Sequence, residues 1–125
     1  MTDGRQAERH AVDRYQEAGY QVYLPPKAKY REQDVFGLFD LLAFGHDRLE
    51  AVQVKAGRDA TGIKAWFRDA RVFEERLTDL RVSFLHHKAN EWRVARTAPD
   101  GYQWVYDARE TPTGDADRLL EVLRA

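Results

Sequence analysis

The sequence predicts an α/β (α+β) protein in which a central mixed β-sheet is flanked by helices. Three observations lead there. Two long stretches and one short one repeat apolar residues with helical period, six stretches alternate or run apolar as strands do, and turn-forming residues separate them in the order helix, strand, strand, strand, helix, strand, strand, strand, helix. The 125 residues suit a single domain, residues 1–125, with one core.

The first helix spans about Thr2 to Ala18, with Thr2 or Asp3 as cap and Gly19 as a left-handed stop. Ala7, Ala11, Val12, Tyr15 and Ala18 form its buried stripe, and Glu8 flanks that stripe. Glu8 can serve there as a partner of Arg5 or as a functional carboxylate. Tyr20 to Leu24 alternates as a short strand that ends at Pro25-Pro26, because proline cannot donate to a ladder. Lys27 to Gln33 is a polar, basic loop.

The stretch from Asp34 to Phe44 is expected as a strand interrupted at Gly37, followed by a turn at Gly45-His46-Asp47-Arg48 and a strand from Leu49 to Lys55. The second long helix carries Ile63, Trp66, Phe67, Ala70, Phe73 and Leu77 at helical spacing, and it anchors the core. Strands are then expected over Leu80–His86, Glu91–Arg96 and Tyr102–Tyr106, with His87-Lys88-Ala89-Asn90 and Pro99-Asp100-Gly101 as the connections. A last helix, roughly Asp115 to Arg124, is apolar enough to pack on the domain or on a second subunit.

Composition narrows the function. No cysteine is present, which excludes disulfides and cysteine-based metal or nucleophile sites. The net charge of −1 makes no general case for nucleic acid, so such a role has to rest on local clustering. No apolar run approaches the roughly 20 residues that span a bilayer, and Met1–Arg5 has no signal-peptide pattern, so a cytoplasmic location is expected. His86 and His87 point to opposite faces of a strand, with no further ligand at zinc spacing.

The residues that ask for a chemical explanation are Asp40, Gln53 and Lys55. An acid, an amide and an ammonium among Leu, Val and Phe are costly to bury without a partner or a role. Strand parity puts Gln53 and Lys55 on one face beside Ala51. A hard divalent cation takes oxygen ligands and keeps several waters, so Asp40, the Gln53 amide oxygen, the Val54 backbone carbonyl and Glu8 make a plausible ligand set. Lys55, two residues beyond Gln53, can orient or deprotonate water or stabilise charge on a phosphate. A solvated network in which Lys55 pairs with Asp40 is the competing explanation.

Asp40-Leu41-Leu42-Ala43, then Gln53-Val54-Lys55, with Glu8 on the preceding helix, resembles the PD-(D/E)XK nuclease superfamily. Within it the pattern is similar to the archaeal-type Holliday junction resolvase-like branch and its small phage relatives. The resemblance covers about Thr2 to His86 and implies an αβββαβ restriction-endonuclease-like core. It further implies a Mg²⁺- or Mn²⁺-dependent, structure-selective DNA endonuclease that acts as a homodimer, in the cytoplasm or, if phage-encoded, in that of the host.

Two departures stand out: Gln53 replaces the usual second carboxylate, and no proline precedes the first aspartate. Asp34 could add an acidic group or merely cap a loop. Lys27, Lys29, Arg58, Lys64 and Arg68 are candidate contacts to the DNA backbone. The alternatives are a nuclease-fold module that binds DNA or a protein without cutting, and a structural subunit that dimerises through its last helix.

Overall fold

The computed structural model describes residues 4–26, 35–110 and 116–125. Helix α1 (Gly4–Glu17) is followed by β1 (Gln21–Tyr23), β2 (Leu41–Gly45), β3 (Arg48–Ala56), α2 (Ile63–Arg76), β4 (Leu80–Lys88), β5 (Glu91–Ala98), β6 (Gly101–Asp107) and α3 (Ala116–Arg124). The strands form one six-stranded sheet in sequence order. All neighbours are antiparallel except β3 and β4, which run parallel around the α2 crossover. The predicted mixed sheet flanked by helices is thus the observed architecture.

Helical stripes set the two layers that cover the sheet. On one face Ala7, Ala11 and Tyr15 of α1 and Leu119, Val122 and Leu123 of α3 pack over Leu41, Ala43, Val52, Val54, Leu85 and Val94. On the other, Ile63, Trp66, Phe67 and Ala70 of α2 cover Ala51, Val82, Phe84 and Ala95. Leu77, read from the sequence as the end of the α2 stripe, is instead its extended C-cap and is 52% exposed. Gly19 stops α1 as expected. Its φ of 96° lets Gly19 N–H reach Gln16 O and Tyr20 N–H reach Tyr15 O, the paired bonds of a Schellman ending.

The expected strand from Asp34 to Phe44 is shorter in the structure. Phe36 and Gly37 adopt φ of 58° and 69°, so the chain turns, and Val35 bridges Phe39 across that turn. The turn carries Phe39 under α2, edge-on to Trp66 and Phe73, while Trp66 Nε1 donates to Leu38 O at 2.7 Å. Apolar residues that look like strand pattern are there to fill this aromatic cluster, and β2 proper begins only at Leu41.

The β4–β5 connection also differs. Lys88 pairs with Glu91, leaving Ala89-Asn90 as a two-residue loop with φ of 52° and 64°, the left-handed pair a tight hairpin needs. The Gly45–Arg48 turn has the same form through His46 and Asp47.

At the first half of β3 a charge is buried. Glu50 has no exposed surface; Arg81 bonds to it, Arg96 approaches to 3.9 Å, and Tyr15 lies beside it. Burial and the Glu50 carboxylate hold the Tyr15 phenol well above its ordinary range. The two arginines also donate to the last carbonyls of α3, Arg96 to Val122 O at 2.8 Å and Arg81 to Leu123 O at 3.2 Å. Tyr20 and Arg48 complete that cap at Leu123 O, at 2.6 and 3.1 Å. Cations at a helix C-terminus complement both its orphan carbonyls and its dipole.

Removing Glu50 leaves two partly buried guanidinium groups without their counter-charge. Glu50→Ala is expected to cost roughly 3–5 kcal/mol in urea-monitored unfolding, the range for breaking a buried ion pair. A loss under about 1 kcal/mol would show that the α3 carbonyls alone hold the arginines.

Candidate active site

The last ladder pair between β2 and β3 is Leu41 with Val52, so β3 runs on past its neighbour. Asp40 sits at that point. Its N–H still bonds to Val52 O at 2.8 Å, and its carboxylate Oδ2 accepts the Val54 N–H at 2.8 Å. A side chain thus takes the place β2 would have filled. In an extended strand the N–H and C=O of one residue point to the same side, so the Val54 carbonyl faces the edge where Asp40 lies.

Gln53 and Lys55 alternate with the buried Val52 and Val54 and are half-buried on the α2 face, in line with Ala51. On the other flank they pair in register with Phe84 and His86 of β4. Glu8 approaches from the opposite face. It is buried in α1, beside Ala7 and Ala11, which pack on Val52 and Val54. Tyr15 lies at Glu50, and seven helical residues rise about 10 Å, close to three strand residues. The N-terminal half of α1 lies toward the second half of β3, since His10 meets His87, the register partner of Ala56.

The structure brings Asp40 onto the β3 backbone between the two faces, with Gln53 and Lys55 on one and Glu8 on the other. Asp40 stands at the junction of turn and strand, one residue before β2, where the sequence had placed it inside a strand.

Among the described residues no three His, Asp or Glu side chains converge as a metal cluster. A cation here would be held by Asp40, the Gln53 amide oxygen and the Val54 carbonyl, with Glu8 as a further carboxylate. That is an all-oxygen set with few charges, which fits a hard ion that retains water and not a soft one.

Of the basic candidates, Arg58 lies exposed in the loop after β3, and Lys64 and Arg68 lie exposed on α2. Lys64 and Arg68, joined by Arg71, line a groove of about 570 Å³ that reaches Gly101. Lys27, Lys29 and Asp34 lie outside the described residues.

Two polar residues beside Lys55 escape a reading of the sequence. His86 is its register partner on β4, and Arg93 is the register partner of His86 on β5. The signal was present in the hairpin: a two-residue Ala89-Asn90 loop, once recognised, fixes His86 opposite Arg93. His86 Nε2–H donates to Gly57 O at 2.7 Å, and Arg93 Nη2 donates to His86 Nδ1 at 3.0 Å. His87 points to the opposite face, near the rings of His10 and Trp92.

Burial lowers the pKa of both histidines below the usual imidazole value. Positive neighbours add to this, and for His86 the Gly57 carbonyl opposes it.

The fold is similar to that of Hjc, a Holliday junction resolvase from the archaeal hyperthermophile Archaeoglobus fulgidus, solved at 1.6 Å. The TM-score is 0.51 at 16% sequence identity, over 83% of this chain and 88% of that one. No protein-family model matches the sequence, and no curated protein matches it significantly. The structural likeness establishes a shared fold. No helix among the described residues is long and apolar enough to cross a membrane.

The two histidines give the fold a sign-definite pH dependence. Both take up a proton less readily in the folded state than unfolded imidazoles, which protonate below about pH 6.5, so the unfolded chain binds more protons on the acid side. Their contribution is complete above that pH and is lost as pH falls from about 6.5 through their lowered folded values. Melting temperature across this range should fall on acidification, and His86→Gln combined with His87→Gln should flatten the slope. An equally steep slope in the double variant would assign the dependence elsewhere.

Proposed function

We propose that the protein is a divalent-metal-dependent DNA endonuclease, structure-selective in the manner of Holliday junction resolvases and active as a homodimer. The observation that carries this reading is the Asp40 carboxylate seated on the Val54 N–H. It fixes an acid at the level of Gln53 and Lys55, where β3 extends beyond β2. The likeness of the fold to a resolvase supports it.

In this reading Asp40 and Gln53 hold Mg²⁺ or Mn²⁺, with the Val54 carbonyl and Glu8 assisting. When bound, the ion supplies charge for the developing phosphate and lowers the pKa of water. Lys55 orients or deprotonates the attacking water, or steadies charge on the phosphate, from the same face as Gln53. Arg58, Lys64 and Arg68 contact the phosphate backbone, an electrostatic attraction that needs no overall positive charge. Lys27 and Lys29 are proposed to act in the same way.

Purified protein is expected to cut at least one member of a panel of four-way junction, flap, linear duplex and single-stranded DNA with Mg²⁺ or Mn²⁺. Lys55→Ala should lower the rate by roughly 10²–10⁴ without lowering the melting temperature. No cleavage of any substrate, or a Lys55→Ala variant as fast as the parent, defeats the catalytic reading. Gln53 gives specific weight to a second reading, a module that binds DNA without cutting it, because an amide contributes no charge to the ion. Retained DNA binding with no Mn²⁺ binding by calorimetry would select it.

The same residue offers a gain-of-function measurement. Gln53→Glu adds the missing negative charge, so Mn²⁺ affinity should rise by about tenfold or more in a calorimetric titration. Unchanged affinity would place Gln53 outside the ligand set.

A further inference from the structure

We propose that Arg93 grips a phosphate of the nucleic-acid strand beside Lys55, and that buried His86 is the positioning residue that holds it in place. The inference rests on the nuclease reading above and assigns that site a substrate-binding arm.

Register supplies the first argument. Lys55, His86 and Arg93 are successive neighbours across β3, β4 and β5 and share one face of the sheet. Strands lie about 4.8 Å apart, so the Arg93 backbone is roughly 10 Å from that of Lys55. A long side chain there reaches substrate bound at Lys55.

The second argument is how Arg93 is held. Its Nη2 and Nε approach His86 Nδ1 at 3.0 and 3.3 Å, and its guanidinium lies 4.0 Å over the Trp104 ring. Both partners are neutral. At the other end of the sheet Arg48, Arg81 and Arg96 are taken up by α3 carbonyls and Glu50, while beside Arg93 it is Arg109 that bonds to both oxygens of Asp107. Arg93 is stacked and hydrogen-bonded; Asp107, its register partner on β6, attracts it, but both oxygens of that carboxylate accept from Arg109, so donors of the Arg93 fork remain for a ligand. A fixed guanidinium with donors remaining suits a phosphate, since the ordering cost is met before binding. The side chain also borders a surface cavity of about 400 Å³ with Trp104, Arg109 and Arg118, in which Asp107 and Glu110 supply two carboxylates.

His86 explains the fixing. It has no exposed surface, and its Nε2–H is committed to Gly57 O, in the loop that follows Lys55. That bond leaves Nδ1 as the acceptor for Arg93. The imidazole thereby ties the end of the Lys55 strand to the arginine, and a carboxylate in its place would have cancelled the charge.

The test is fluorescence anisotropy of a labelled four-way junction and a labelled duplex, in EDTA so that nothing is cut, across a salt series. Arg93→Gln is expected to bind on the order of tenfold more weakly on both DNAs, with the slope of log affinity against log salt reduced by about one. His86→Asn should weaken binding with the slope retained, and the double variant should bind no worse than Arg93→Gln alone. Parental affinity and slope in Arg93→Gln overturn the phosphate contact, and fully additive losses overturn the positioning role. If Arg93→Gln melts early, Arg93→Lys decides: it keeps the charge but loses the fork, so parental affinity in that variant also overturns the proposal. A parent protein that binds no DNA removes both this inference and the nuclease reading; a parent that binds and cuts with Arg93 irrelevant removes this one alone.

Discussion

Burying a carboxylate at the centre of a sheet is unfavourable by several kcal/mol unless cations and hydrogen bonds replace its water, and Glu50 meets that constraint with Arg81, Arg96 and the Tyr15 neighbourhood. Because the same arginines donate to the carbonyls that end α3, the carboxylate joins the sheet to the helical layer on that face. It sits on β3, bonds through β4, and fixes a helix that has only nine residues and would be marginal alone. The central strand is therefore anchored at its first half, which allows its second half to carry Gln53 and Lys55. Charge at one end of β3 serves cohesion, and the other end carries the half-buried Gln53 and Lys55 of the proposed site.

The opening at that second end has a local cause. Phe36 and Gly37 in left-handed conformations turn the chain, Phe39 dives under α2, and β2 starts too late to pair with Val54. Asp40 replaces the missing ladder partner with its side chain. A backbone N–H that would need a strand is satisfied by a carboxylate, and the carboxylate is thereby oriented. The aromatic cluster and the acid position are one device: the turn that buries Phe39 sets where Asp40 lands.

Much of this was legible in the sequence. The helical stripes of α1 and α2 are strong because buried apolar residues must recur on one face, and the parity of Gln53 and Lys55 follows from strand geometry alone. What was not legible depended on partners far along the chain. Val35 to Phe39 reads as apolar strand, but Phe39 is taken up by Trp66 and Phe73 while Phe36 stacks on Phe73 from the surface, so tertiary packing overrode the local pattern. Leu77 fits the α2 period yet ends the helix at the surface. Glu50 and its arginines look like ordinary surface charges in sequence, because nothing local marks three distant ions as one network. His86 and Arg93 were hidden by the hairpin, whose Ala-Asn loop lacks the glycine that usually announces a two-residue turn.

Gln53 then becomes a matter of charge balance in the proposed site. With an amide where a second carboxylate would stand, the set offers a cation less attraction, while Lys55 and Arg93 on the same face keep the field favourable to phosphate. Such a site would bind an ion weakly alone and more firmly once a phosphate contributed its own oxygen and charge. The metal and the nucleic acid would bind with positive coupling, each raising the affinity for the other by the same factor, as linkage requires. On this account the glutamine shifts metal recruitment from the protein alone to the protein–substrate complex, which would confine catalysis to occasions when DNA is already in place.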